Sequence, residues 1–253
     1  MNLTNYFDIS RFWLLLKMEL FRSKKAVGMT LVTILGLLFF VGLVLDLIVG
    51  GNRMTFDHDG NFAGSLLLGG FILTSLSFND LSNTLKTSHY LTLPVSTLEK
   101  FLCMWLLTSL GWVGLFTVVY TLYTFIANPV GQMLFRTVTF LPFAPLSDFS
   151  VNSIRVYLVL QGIFMVGAVH FQGYVLPKTL FTIVVFLLLS GIAAYFIMQD
   201  SFLIEHECNA GQCEVLTSIS RHPVWVFLVS LFWWLFAPLC WVITYLGLKE
   251  KEI

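Results

Sequence analysis

The chain has 253 residues, 57% of them hydrophobic and only 11% charged, with a mean hydropathy of +0.85. Soluble domains are about half apolar and about a quarter charged, so this composition points to a membrane. The formal net charge is zero, which argues against nucleic acid as a partner, and the spans described next leave no room within the chain for a separate ATPase or enzyme domain.

A membrane-crossing helix needs about 20 predominantly apolar residues. Six such stretches are predicted, giving an all-α polytopic membrane protein with a single transmembrane domain over 1–253. The first 25 residues are expected on the cytosolic side. Within them, 10–21 read as a helix with Phe12, Trp13, Leu16 and Leu20 on one side and Arg11, Arg22 and Lys25 on the other. Basic and apolar faces together suit an interfacial amphipathic helix in the inner headgroup layer, the plainer alternative being the flank of the first span. The first span, 26–49, is too long for the apolar region of a signal peptide and is expected to remain as a helix. Asp46, near its outer end, is the one acidic residue inside a predicted span and can reach headgroups, Arg53 or Arg155.

The second span, 62–78, is short, and the cytosolic segment 79–100 follows it with the sequence NDLSNTLKTSHYLTLPVSTLEK. Pro94 disfavours helix at Leu93, and Ser96-Thr97-Leu98-Glu99 then has the form of a capping box opening a new helix. A broken and re-capped polar knob of this kind can pass force from a soluble partner, although an ordinary loop with a well-made cap reads the same way. The third span covers 101–126. In the outer loop 127–155, Leu134-Phe135 and Phe140-Leu141-Pro142-Phe143 are more apolar than solvation requires and predict a piece lying in the interface or dipping into it.

The fourth span, 156–176, is interrupted by Gln161, His170 and Gln172. Gln161 and His170 are candidates to line a pathway, with an interhelical hydrogen bond as the alternative for such buried polar groups. Pro177, Lys178 and Thr179 are expected to make the turn into the fifth span, 180–198. The outer loop 199–223 carries Glu205-His206-Glu207-Cys208 and then Cys213. Cys208 and Cys213 can form a disulfide there, stay as thiols, or join His206 and a glutamate around a metal. The sixth span is 224–246, while Cys103 and Cys240 read as packing residues. No GxxxG lies inside a predicted span, so close helix pairing is not signalled.

Of the 14 Lys and Arg residues, ten fall on segments that are cytosolic if the N-terminus is cytosolic, against four outside, which places both termini in the cytosol. No phosphate loop, HExxH, GxSxG or dinucleotide fingerprint is present, and no buried acidic relay suits proton coupling. The chain therefore reads as a non-enzyme that binds no cofactor of its own. If it transports actively, its energy comes from a partner.

The basic-aromatic segment Arg11-Phe12-Trp13-Leu14-Leu15-Leu16-Lys17, the element Leu93-Pro94-Val95-Ser96-Thr97-Leu98-Glu99-Lys100 and the six-span layout resemble the membrane subunit of ABC-2 type transporters, in the form common in Bacteroidota. The resemblance implies a permease of a bacterial cytoplasmic (inner) membrane, paired with a second copy or a homologous permease. Two ABC ATP-binding subunits carrying ATP-Mg would dock beneath the pair. It also implies that 79–96 contacts the ATPase, with 80–90 as a coupling helix, and marks Asp80, Leu81, Leu85, Lys86, Tyr90, Leu93, Pro94, Ser96 and Glu99 as the coupling interface. Export, of a lipid, drug or other amphiphile, is the expected direction. The family's re-entrant helices would fall on 199–223, which is more polar than such a piece needs. The competing readings are a non-transporting component of an envelope complex and a membrane enzyme acting at the outer face through His206 and the two cysteines.

Overall fold

The computed structural model describes residues 7–49, 54–56, 58–78, 94–134, 138–171, 173–202 and 223–251. Its helices are α1 (Ile9–Val49), α2 (His58–Leu76), α3 (Thr97–Leu106), α4 (Trp112–Leu134), α5 (Asp148–His170), α6 (Val175–Phe202) and α7 (Pro223–Glu250). A π-helical turn, Leu107–Gly111, joins α3 to α4 in one continuous run, and two short strands, β1 (Met54–Phe56) and β2 (Val138–Phe140), complete the described elements. The stretches Ile9–Val41, Thr97–Met133, Asp148–His170 and Val175–Ile192 are each long and apolar enough to cross a membrane. The chain is a helical membrane protein.

Side-chain contacts fix the direction of each helix. A Cβ at Gly70 would meet Tyr157 while Phe78 clusters with Met165 and Val169, and a Cβ at Gly162 would meet Cys240 while one at Gly247 would meet His170, so α2, α5 and α7 run the same way. Phe101 meets Tyr245 and Trp105 meets Trp241, which sets α3 against α7. One end of the bundle thus gathers the starts of α1 and α3 with the ends of α2, α5 and α7. The other end carries the strands. β1 leads into α2 and β2 precedes α5, both helices leaving that end, and the strands accordingly pair in parallel, Met54 with Val138 and Phe56 with Phe140.

Two buried clusters hold the helices together. Near the strands, Phe62 and Leu66 of α2 meet Ile34 of α1, Trp112, Phe116 and Tyr120 of α4, and Tyr157 of α5. At the opposite end, Phe78, Met104, Met165, Val169, Val175 and Leu248 form the second. α5 packs on α2, α6, α7 and the π-helical turn. Of the residues that interrupt the fourth apolar stretch, Gln161 faces protein, where a hydrogen-bond partner exists, and not lipid, while His170 is exposed at the end of α5.

Several sequence-based boundaries shift. The amphipathic stretch and the first span form one helix of 41 residues, with no break to let 10–21 lie flat in the headgroups. Its protein-facing stripe is Leu15, Glu19, Leu31 and Ile34, while Trp13, Leu14, Leu20 and Phe21 stay exposed. The second helix begins at His58, and the third runs from Thr97 to Leu134 with Pro129 inside it. The fourth begins at Asp148, where Ser147 accepts a hydrogen bond from Ser150 N.

The expected turn at Pro177, Lys178 and Thr179 is corrected. α5 ends at His170 and α6 begins at Val175, and between them Gly173 takes φ 80°, a conformation that glycine reaches without a Cβ penalty. Pro177 sits in the first turn of α6, where its missing N–H removes no helical bond. The apolar stretch between α4 and α5 also finds its cover. After β2 the chain inserts Phe143 against Phe62 and Tyr120, each at 5.0 Å between ring centroids.

Candidate functional site

Two helix starts meet at one carboxylate. Asp8 caps α1 through Ser10 N, which donates to Asp8 Oδ1 at 2.8 Å. Ser96 caps α3 in the expected capping box: Glu99 N donates to Ser96 Oγ at 3.2 Å and Ser96 N donates to Glu99 Oε2 at 2.9 Å. The second carboxylate oxygen, Glu99 Oε1, accepts from Asp8 N at 2.6 Å and lies 3.6 Å from the Arg11 guanidinium. Glu99 is 0% exposed.

The electrostatics favour the arrangement. Helix N-termini carry the positive end of the backbone dipole, and both capping residues turn an N–H onto the same anion. Bonds of this kind, to an ionised acceptor, are roughly twice as strong as neutral ones. The Arg11 contributions are weaker, since its side chain is 39% exposed and solvent screens both of its pairs. One and two turns after Arg11, Leu15 and Glu19 are buried on α1, which packs against α3, and Glu19 pairs with Arg22 at 3.8 Å.

Pro94 and Ser96 connect segment 79–93 to α3. The Glu99 bonds tie the capped first turn of α3 to the first turn of α1. Of the predicted coupling residues, Pro94 is exposed, Ser96 is half-buried and Glu99 is turned inward onto its own chain. Glu99 therefore fastens two helix starts of its own chain and presents no contact surface. Asp80, Leu81, Leu85, Lys86, Tyr90 and Leu93 lie outside the described residues, as do Cys208, Cys213 and His206.

The same end of the bundle is closed by Lys251, whose ammonium donates to Val169 O at the end of α5. Burial holds the Lys251 pKa below the ordinary lysine value. His170 lies nearby, exposed, and bonds through Nδ1 to Val166 O of its own helix at 3.0 Å.

A second polar constellation sits deeper. The π-helical turn frees the Thr108 carbonyl from the regular ladder, and Tyr157 OH donates to it at 2.6 Å. Gln161 Nε2 donates to Thr108 Oγ1 at 2.9 Å. Gln161 thus makes an interhelical bond in the protein interior, well away from His170, so the two predicted pathway residues are not brought together. Cys103 and Cys240 are buried free thiols.

Near the strands, His58 is buried with Nδ1 3.3 Å from Tyr120 OH and Nε2 2.8 Å from Asn128 Oδ1. Sequence reasoning missed His58, Glu19 and the role of Asp8. An aspartate two residues before a helical stripe is a readable cap signal; the partners of His58, 62 and 70 residues away, leave no local trace. Comparison with protein-family models, with curated proteins and with solved structures finds no match to this chain.

Proposed function

We propose that the chain is the permease subunit of an ABC-2 type transporter. In this reading six spans place both termini on the cytosolic side of a bacterial cytoplasmic membrane. The chain pairs with a second copy or a homologous permease. Two copies of a separate ATP-binding subunit, holding ATP-Mg, dock on segment 79–96, and the transported compound is a lipid, drug or other amphiphile moved outward. The chain itself performs no chemistry.

The observation that carries this reading is the Glu99 junction. It fastens the first turns of α1 and α3 together directly behind the segment expected to meet the ATPase. Such a fastening turns a push on one short segment into a joint displacement of two long apolar helices, which is what a conduit lacking its own energy source requires. ATP-driven closure of the partner subunits would shift the paired permeases between inward- and outward-facing states.

Purification of the tagged chain in mild detergent tests the proposal. An ABC ATP-binding subunit, identified by its peptides, is expected at one copy per permease chain. Recovery of the chain with no nucleotide-binding protein, under conditions that preserve transport in cells, contradicts it.

A further inference from the structure

The seam between α3, α5 and α7 contains three buried polar atoms without a hydrogen-bond partner: Trp105 Nε1 on α3, Gln161 Oε1 on α5 and Trp241 Nε1 on α7. Their residues are linked by neighbouring contacts. Gln161 is bonded to Thr108, three residues after Trp105. The Trp105 and Trp241 rings meet edge to face with centroids 5.2 Å apart, and a Cβ at Gly162 would lie 3.7 Å from Trp241 Nε1. Buried polar groups in proteins are almost always paired, so three orphans contributed by three neighbouring helices need an explanation.

Two further features mark the same place. The π-helical turn Leu107–Gly111 adjoins it, and such turns concentrate at functional sites. Pro238 interrupts the backbone ladder of α7 one turn before Trp241 and supplies a point where that helix can bend. In the closed seam the three atoms are sealed from solvent, with Gly162 and Cys240 in close contact. Bending of α7 away from that contact would expose two N–H donors and one amide acceptor between indole faces.

We propose that this seam binds an uncharged amphiphile carrying an amide or hydroxyl head, which can accept from the indoles and donate to Gln161. The residues used here, Trp105, Thr108, Tyr157, Gln161 and Trp241, include no cation or carboxylate, and burying an unpaired ionic head against them would be strongly unfavourable. The site names a substrate class for the transport function proposed above and rests on that reading for its purpose, although not for binding itself.

The test uses the full chain alone in phosphatidylcholine nanodiscs, with tritiated oleamide and oleyl sulfate as probes that share a tail and differ in head charge. Saturable oleamide binding at least about tenfold tighter than that of oleyl sulfate is expected. Trp241→Phe keeps the ring contact and removes one donor, and should weaken oleamide about fivefold while leaving oleyl sulfate unchanged. Gln161→Leu should do the same, and Trp241→Phe keeps the test valid if Gln161→Leu fails to fold. Equal binding of the two probes, non-saturable partitioning, or oleamide affinity unchanged in Trp241→Phe overturns the site. Oleamide binding without a copurifying ATP-binding subunit would support the site while removing the transport reading; the reverse pair of results would remove the site alone.

Discussion

Glu99→Ala is expected to lower the stability of the purified chain by about 3 kcal/mol, since it removes a capping-box partner worth about 1 kcal/mol and a charge-assisted bond from Asp8 N worth about 1.5–3 kcal/mol. The Arg11 pair adds little, because its guanidinium is part-exposed and keeps its hydration when the carboxylate is gone. Ser96→Ala should cost about 1 kcal/mol and Arg11→Ala less than about 1 kcal/mol. The order Glu99, then Ser96, then Arg11 is the diagnostic result, read from thermal unfolding in detergent. Hydrogen exchange at the amides of Asp8 and Phe12 should rise in Glu99→Ala and stay near wild type in Arg11→Ala. In the complex with its proposed ATPase, Glu99→Ala should leave nucleotide hydrolysis running while transport falls, since α3 can then move without carrying α1. A Glu99→Ala chain that transports normally, or that is no less stable than Ser96→Ala, would remove the junction from the account.

Gly70→Ala is expected to be as damaging, for a steric reason. A Cβ at position 70 would sit 2.1 Å from the Tyr157 ring. That ring is fully buried and its hydroxyl is held by the Thr108 carbonyl, so it cannot swing aside without leaving a buried acceptor unpaired. Overpacking costs about 1–3 kcal/mol and the lost hydrogen bond about 1 kcal/mol more, giving about 3 kcal/mol in all. Gly64→Ala, on the same helix with nothing within 4 Å of its Cβ, is the control. It should be neutral or stabilise by up to about 1 kcal/mol through helix propensity. Tyr157→Leu should recover part of the loss when combined with Gly70→Ala, since the two positions share one volume. Equal effects of the two glycine replacements would show that α2 and α5 are not packed as described.

The contrast between these two sites shows what a sequence exposes. The Ser96–Glu99 capping box is local, four consecutive residues whose bonds follow from helix geometry, and it was legible. The other half of the junction was not, because Asp8 stands 91 residues from Glu99 and nothing in either neighbourhood names the other. Apolar runs gave the helices, but not their ends. Asp148 to Ser153 look polar and read as loop, yet Ser147 caps them into the first turns of α5. Pro177 reads as a breaker, yet the first turn of a helix accommodates it and Gly173 carries the turn. The surplus of apolar residues around Phe143 was visible as an anomaly; its cause, packing onto Phe62 and Tyr120, exists only once α2 and α4 stand side by side. Close helix contact was missed because it depends on single glycines, Gly70 and Gly162, opposite large partners and not on a spaced pair.

A photo-crosslinking benzoylphenylalanine in place of Leu85, activated in intact cells, bears most directly on the claim that an ATP-hydrolysing partner drives this chain from the 79–96 side. The account predicts an adduct whose peptides belong to an ABC ATP-binding subunit, and a cysteine at the same position that membrane-impermeant maleimide reaches only after the cells are opened. An adduct with no nucleotide-binding protein, or labelling of that cysteine from outside intact cells, would contradict it.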